Sequence, residues 1–158
     1  MKGRPRWLDG ERLERKARLR VPAGPEEVFP LLCPVLEYDW IPDWRCEMIY
    51  SASGVAEREA MFTTRMLPFG KELWTCVLYE PPRRIEYLFT HGAKLAVKLE
   101  LELAEEGGGT ALDWTMRFTT AGKLWSRLLN AQYGERSFAG MMATRERQLA
   151  EYFARAGD

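Results

Sequence analysis

Apolar and polar residues alternate with period two through most of this chain and switch to a helical period near its end. From Arg12 to Val21, Leu13, Ala17, Leu19 and Val21 alternate with Glu14, Lys16, Arg18 and Arg20, which predicts a strand with one wet face; Arg15 stands on the apolar side. The run from Pro22 to Pro25 ends it. Pro25, Glu26 and Glu27 then suit the first turn of a short helix carrying Val28, Phe29, Leu31 and Leu32. A second short helical piece, Val35 to Ile41, is bounded by Pro34 and Pro42. Strands are predicted at 45–51, with Cys46, Met48 and Tyr50 on one side, at 59–66 and at 73–79. The pattern gives 59–66 and 73–79 no clear inward face. Ile85, Tyr87, Phe89 and His91 share one parity, as do Leu95, Val97, Leu99, Leu101 and Leu103, and then Leu112, Trp114, Met116 and Phe118. The last two runs flank Gly107-Gly108-Gly109 and form the cleanest hairpin.

From Thr119 to Ala156 the spacing predicts one amphipathic helix, reaching roughly 50 Å at about 1.5 Å per residue. Leu124, Leu128, Ala131, Phe138, Met142, Leu149 and Phe153 make its apolar stripe, opposite Asn130, Ser137, Thr144, Gln148, Glu151 and Arg155. Trp125, Leu129 and Tyr133 point away from that stripe, as a gate, a second packing face or a homodimer contact. Gly134 and Gly140 interrupt the helix, either to open room or bend it, or to allow close packing. The predicted class is α+β: a curved antiparallel sheet of about seven strands gripping a long C-terminal helix, with two short helices after the first strand.

Composition narrows the functional classes. Lys+Arg 23 balance Asp+Glu 23, so nothing draws the chain to nucleic acid. Positive charge gathers only in the first twenty residues, read as a basic arm, 1–10, and the edge strand that opens a single domain at 11–158. No apolar run is long enough for a leader or a membrane span, and a cytoplasmic protein is expected. Cys33, Cys46 and Cys76 are scattered and accompany a single His, which supports neither a disulfide framework nor a metal site, and no cofactor is expected.

Three stretches carry a resemblance: Val21 to Phe29 (VPAGPEEVF), Trp40 to Trp44 (WIPDW), and Tyr79 to Tyr87 (YEPPRRIEY). With the element order, they resemble the helix-grip fold of the START/SRPBCC superfamily, which includes birch-pollen-allergen-like proteins, polyketide cyclases and aromatases, lipid-transfer domains and activators of a heat-shock ATPase. The resemblance implies a cavity between the concave sheet and the C-terminal helix. It brings no catalytic residue with it, because no activity motif is matched.

A curved sheet cannot touch a straight helix along its whole length, so side chains or a ligand must fill the gap. The candidate liners are Tyr50, Tyr87, Phe89, Trp114, Met116 and Phe118 from strands and Phe138, Met141, Met142 and Leu149 from the helix; the alternative for each is a filled core. Polar groups on apolar positions are the candidates for chemistry: His91, Glu135, Arg145 and Arg15. His91 is a general acid or base, or else an exposed strand-end residue beside Gly92. Arg145 is a ligand anchor, or else a snorkelling side chain. Trp40 and Trp44, around Pro42, form a plug or lid at the cavity corner.

These residues leave three functions open. The first is a carrier or sensor of a small hydrophobic ligand: a lipid, an isoprenoid or an aromatic polyketide. The second is a cyclase or aromatase, with His91, Glu135 or a tyrosine moving protons. The third is a protein-partner module using Trp40, Trp44 and Trp125 as an exposed apolar patch.

Overall fold

Every strand pairs antiparallel with its neighbours in one seven-stranded sheet of order β1-β7-β6-β5-β4-β3-β2. The computed structural model describes residues 10–67 and 69–157; nearly all of the expected basic arm, and Pro68 in the turn before β4, lie outside the described residues. The strands are β1 Arg12–Val21, β2 Glu47–Tyr50, β3 Met61–Met66, β4 Gly70–Glu80, β5 Arg84–His91, β6 Leu95–Glu106 and β7 Gly109–Thr120. Helix α1, Pro25–Val28, runs on as a 3-10 turn over Phe29–Leu32, and a further 3-10 turn covers Glu37–Asp39. Two more helices, α2 Lys123–Tyr133 and α3 Glu135–Ala156, end the chain.

The period-two readings of β5, β6 and β7 hold in space. Tyr87 faces Leu99, Phe89 faces Val97, Leu99 faces Met116 and Leu101 faces Trp114 in register, and all are buried on the concave side. Two bulges account for what alternation left open. A shift between Cys76 and Leu78 in β4 separates an inward set, Glu72, Trp74 and Cys76, from the residues that follow. In β2, a shift after Met48 sets Tyr50 opposite Met61 instead of on the parity of Phe62. Tyr50 is therefore 54% exposed and outside the concave face, contrary to expectation.

The outer face is a lattice of alternating charge. Arg84 meets Glu86, Glu100 and Glu102; Lys98 meets Glu86 and Glu100; Arg117 meets Glu100 and Glu14; Arg18 sits 2.7 Å from Asp113. These are the polar members of the alternating runs, spaced by the pleat so that opposite charges meet along a strand, directly across from one another or diagonally.

The expected single C-terminal helix is two. Thr119 and Thr120 complete β7, and at Gly134 the backbone is extended, with ψ 160. A Cβ there would lie 2.6 Å from the Asn130 carbonyl oxygen, so the break itself requires glycine. The break resets the helical phase. Leu129 and Tyr133, expected off the main stripe, are buried, while Leu124, expected on it, is 63% exposed. Arg15 explains its odd parity here: its Nε donates to the Tyr133 carbonyl at 2.9 Å, satisfying the end of α2. Within α3 the stripe holds, with Phe138, Met142 and Leu149 buried, and the helix packs along β1. At the opposite corner Trp40 Nε1 donates to the Leu31 carbonyl and Trp44 Nε1 to the Pro34 carbonyl, each at 2.8 Å, pinning the segment after α1 against the sheet.

Candidate functional site

Between the concave sheet, the break in the C-terminal helices and the Trp40–Trp44 corner lies a cavity of about 720 Å³, open to solvent at one end. Its walls are Phe62, Trp74, Tyr87, Phe89, Leu99, Leu101, Trp114 and Met116 from the strands, Tyr133, Met141 and Met142 from the helices, and Leu32, Ile41 and Trp44 from the corner. Curvature makes this space, because the inner strands bend away from α3 faster than side chains can fill the gap. Asp43, Arg45, Arg65 and Leu67, all exposed, rim the opening.

Of the residues expected to line it, Tyr87, Phe89, Trp114, Met116, Met141, Met142 and Arg145 do. The other expected liners are placed elsewhere, Leu149 among them, buried in α3 and off the cavity wall. Tyr50 is on the outside. Phe118 is buried behind the wall, its ring 4.6 Å from that of Tyr133. Phe138 belongs to a separate shallow groove between β1 and α3, and exposed Glu135 lies in that groove too, away from the cavity. His91 is neither an exposed strand-end residue nor a liner: it is buried one layer behind Glu72, against the ring of Phe69 at 5.0 Å.

Glu72 is the polar group that alternation did not find. It is buried on the cavity wall, with Oε1 2.6 Å from His91 Nε2 in a close contact whose geometry falls short of a hydrogen bond. Its other oxygen accepts from the Thr64 hydroxyl and, at 3.0 Å, from Trp74 Nε1. Trp74 Nε1 also reaches the Thr64 hydroxyl at 2.9 Å. An unpaired carboxylate in such a wall would be costly, and these donors are what allow it there.

The remaining polar atoms are few. The Tyr87 hydroxyl donates to the Leu32 carbonyl at 2.9 Å, and burial holds its acidity well below that of a free phenol. The Tyr133 hydroxyl meets only Met66 Sδ, at 3.1 Å, and burial raises its pKa as well. Trp114, 8% exposed, buries its Nε1–H without an acceptor among the described residues. Near the mouth, Glu37 and half-buried Arg145 face the cavity. Burial pushes the Glu37 carboxyl up to about 8, opposed by the charge of Arg145. Burial lowers the pKa of Arg145, opposed by Glu37 and then Tyr133. Its Nη1 donates to Gln148 Oε1 at 2.9 Å, and its guanidinium lies 5.9 Å from the centre of the Trp40 ring. Among the described residues no carboxylate lies within ion-pair distance of Arg145, no cluster of three His, Cys, Asp or Glu could hold a metal ion, and no helix is long and apolar enough to cross a membrane.

A curved antiparallel sheet closed over a long C-terminal helix, with an apolar chamber between them, is the helix-grip architecture. The chain belongs to the polyketide cyclase/dehydrase and lipid transport family, whose model matches residues 14–154. Solved structures share the fold. Protein MLL2253 from Mesorhizobium loti superposes with a TM-score of 0.66 at 13% identity, over 90% of this chain and 98% of that one. CalU16 from Micromonospora echinospora gives 0.53 at 20% identity, over 94% and 98%. Norcoclaurine synthase from Thalictrum flavum, solved as a point mutant with a transition-state analogue, gives 0.64 at 10% identity, over 92% and 99%. No curated protein matches the chain.

Proposed function

We propose that this protein binds a small hydrophobic molecule in the cavity between sheet and helices and acts as its carrier or sensor. The observation that carries this reading is the cavity itself: about 720 Å³ of mostly apolar, solvent-connected space with sparse polar groups, within the range of about 300–1,000 Å³ typical of small-molecule sites. The family description, which joins lipid transport to cyclase chemistry, supports both this and the enzymatic alternative. Titration with the neutral dye N-phenyl-1-naphthylamine tests it, together with native mass spectrometry of freshly purified protein. Saturable dye binding, abolished when Met116 or Leu99 is replaced by Trp to fill the cavity, is the expected result. Unsaturable dye uptake, or uptake indifferent to those substitutions, refutes it.

Glu72 favours a second reading. A cyclase or dehydratase needs a proton acceptor at the wall of its chamber, and the Glu72–His91 pair is one. In D2O, exchange of the α-protons of a bound β-keto ester, followed by NMR, should then depend on Glu72 and vanish in Glu72→Gln. Exchange at the buffer rate with wild-type protein removes this reading and leaves the first standing. The residues that would serve a partner-binding patch do not form one, since Trp40 is buried and Trp44 and Trp125 are half-buried.

A further inference from the structure

The charges facing the cavity are not evenly distributed. Glu72, deep in the wall, accepts from Thr64 and Trp74 and lies 2.6 Å from His91. Arg145, towards the opening, has no such answer. Its partners among the described residues are the neutral Gln148 side chain and the face of Trp40, although a cation withdrawn from water ordinarily finds a carboxylate. Arg45 and Arg65 line the same opening, exposed, and neither has a carboxylate within ion-pair distance among the described residues. Against these three cations stand Asp43 on the rim and Glu37, whose carboxyl burial keeps largely protonated near neutral pH, so that it does not cancel Arg145. The rest of the chamber is hydrocarbon and aromatic.

We infer that the ligand is an amphipathic carboxylic acid, its carboxylate held by the Arg145 guanidinium near the mouth and its apolar body in the chamber. This rests on the ligand-binding reading above and narrows it. A guanidinium offers a planar pair of N–H donors that matches a carboxylate, and in a half-buried setting such a charge-assisted pair is stronger than a neutral hydrogen bond. Arg45 and Arg65 attract the acid to the opening without anchoring it, because exposed charges act mainly on encounter. Trp114 Nε1–H supplies one further donor inside, suited to an oxygen atom on the body of the ligand.

The test uses the full chain loaded with N-phenyl-1-naphthylamine and displaced by dodecanoic acid, methyl dodecanoate or dodecyl phosphate at low salt. The acid is expected to displace the dye at least tenfold more tightly than the ester, and more tightly than the phosphate. In Arg145→Gln the acid should fall to the level of the ester, both displacements being referred to the dye affinity of that same variant. Arg145→Lys, which keeps the charge without the planar fork, should give an intermediate value and serves if the Gln variant fails to fold. Equal displacement by acid and ester in the wild type, a tighter phosphate, an acid preference that survives in folded Arg145→Gln, or one undiminished in Arg145→Lys overturns the inference while leaving the cavity reading intact. Failure of the dye itself to bind defeats the cavity reading first, and this inference with it.

Discussion

Replacing His91 or Glu72 singly by Leu, and then both together, separates a coupled buried pair from two independent polar residues. His91→Leu leaves Glu72 in an apolar wall with Oε1 unanswered; Glu72→Leu leaves His91 buried without any partner, since its Nδ1 already lacks one among the described residues. Breaking a buried pair from one side costs about 3–5 kcal/mol. The double variant strands neither. The Thr64 hydroxyl and Trp74 Nε1 lose a shared acceptor but remain 2.9 Å apart and bond each other. Its cost should therefore be about 1–3 kcal/mol, below the sum of the singles by at least about 3 kcal/mol. Urea unfolding followed by circular dichroism measures all four proteins. The m-values must agree, because a changed m would report a changed unfolded state instead. Additivity within about 0.5 kcal/mol would mean that the 2.6 Å contact carries no coupling, and the reasoning behind the pair would fail.

The two helix glycines should respond with opposite signs. Gly140→Ala, where an added Cβ meets nothing within 4 Å, should stabilise by about 0.5–1 kcal/mol and raise Tm by about 2–4 °C. Gly134→Ala, which drives a Cβ against the Asn130 carbonyl oxygen, should lower Tm; a rise there would show that the break is dispensable. Because the folded-state pKa of Glu37, about 8, stands above its ordinary value of 4.5, the folded protein holds the extra proton between these limits. Its contribution to stability is full below about 4.5 and lost as pH rises through 8; Glu37→Gln should flatten that part of the profile in urea titrations from pH 5 to 9, and an unchanged slope would exclude Glu37 as its source. Trp114→Phe removes a buried donor that has no acceptor, so thermal melts should place it within about 1 kcal/mol of wild type. A loss of about 3 kcal/mol, as for an ordinary large-to-small core change, would show that the indole N–H is satisfied.

Most of the architecture was legible because β5, β6 and β7 obey strict alternation, and their inward residues, Tyr87, Phe89, Trp114 and Met116, reach the cavity as the parity requires. What alternation could not carry was any place where the backbone skips a count. The bulge after Met48 turned Tyr50 outward, and the one after Cys76 hid the inward parity of Glu72 and Trp74, so the most polar part of the wall went unread. The break at Gly134 did the same for a period of 3.6. Extrapolated through it, the helical wheel put Leu124 on the buried stripe, where it is 63% exposed, and left Tyr133 off that stripe, where it is buried as a second packing face would have it. Gly134 was visible as a signal, but a glycine in a helical pattern does not say whether the helix bends, tightens or stops. His91 was singled out on parity, yet its partner lies on another strand, and such pairings follow from register.

The cavity also bears on how the protein folds. Side chains do not close the chamber of about 720 Å³, so a molecule seated in it makes dispersion contacts that the chain does not make for itself. A molecule that enters only the native chamber draws the unfolding equilibrium toward the native state, by about 2.7 kcal/mol at a free concentration of one hundred times Kd. For a chain of this size that is a shift of roughly 5–10 °C in Tm. On the ligand-binding reading proposed above, the protein has no single melting temperature: its thermal endurance becomes a readout of how much ligand the surroundings hold.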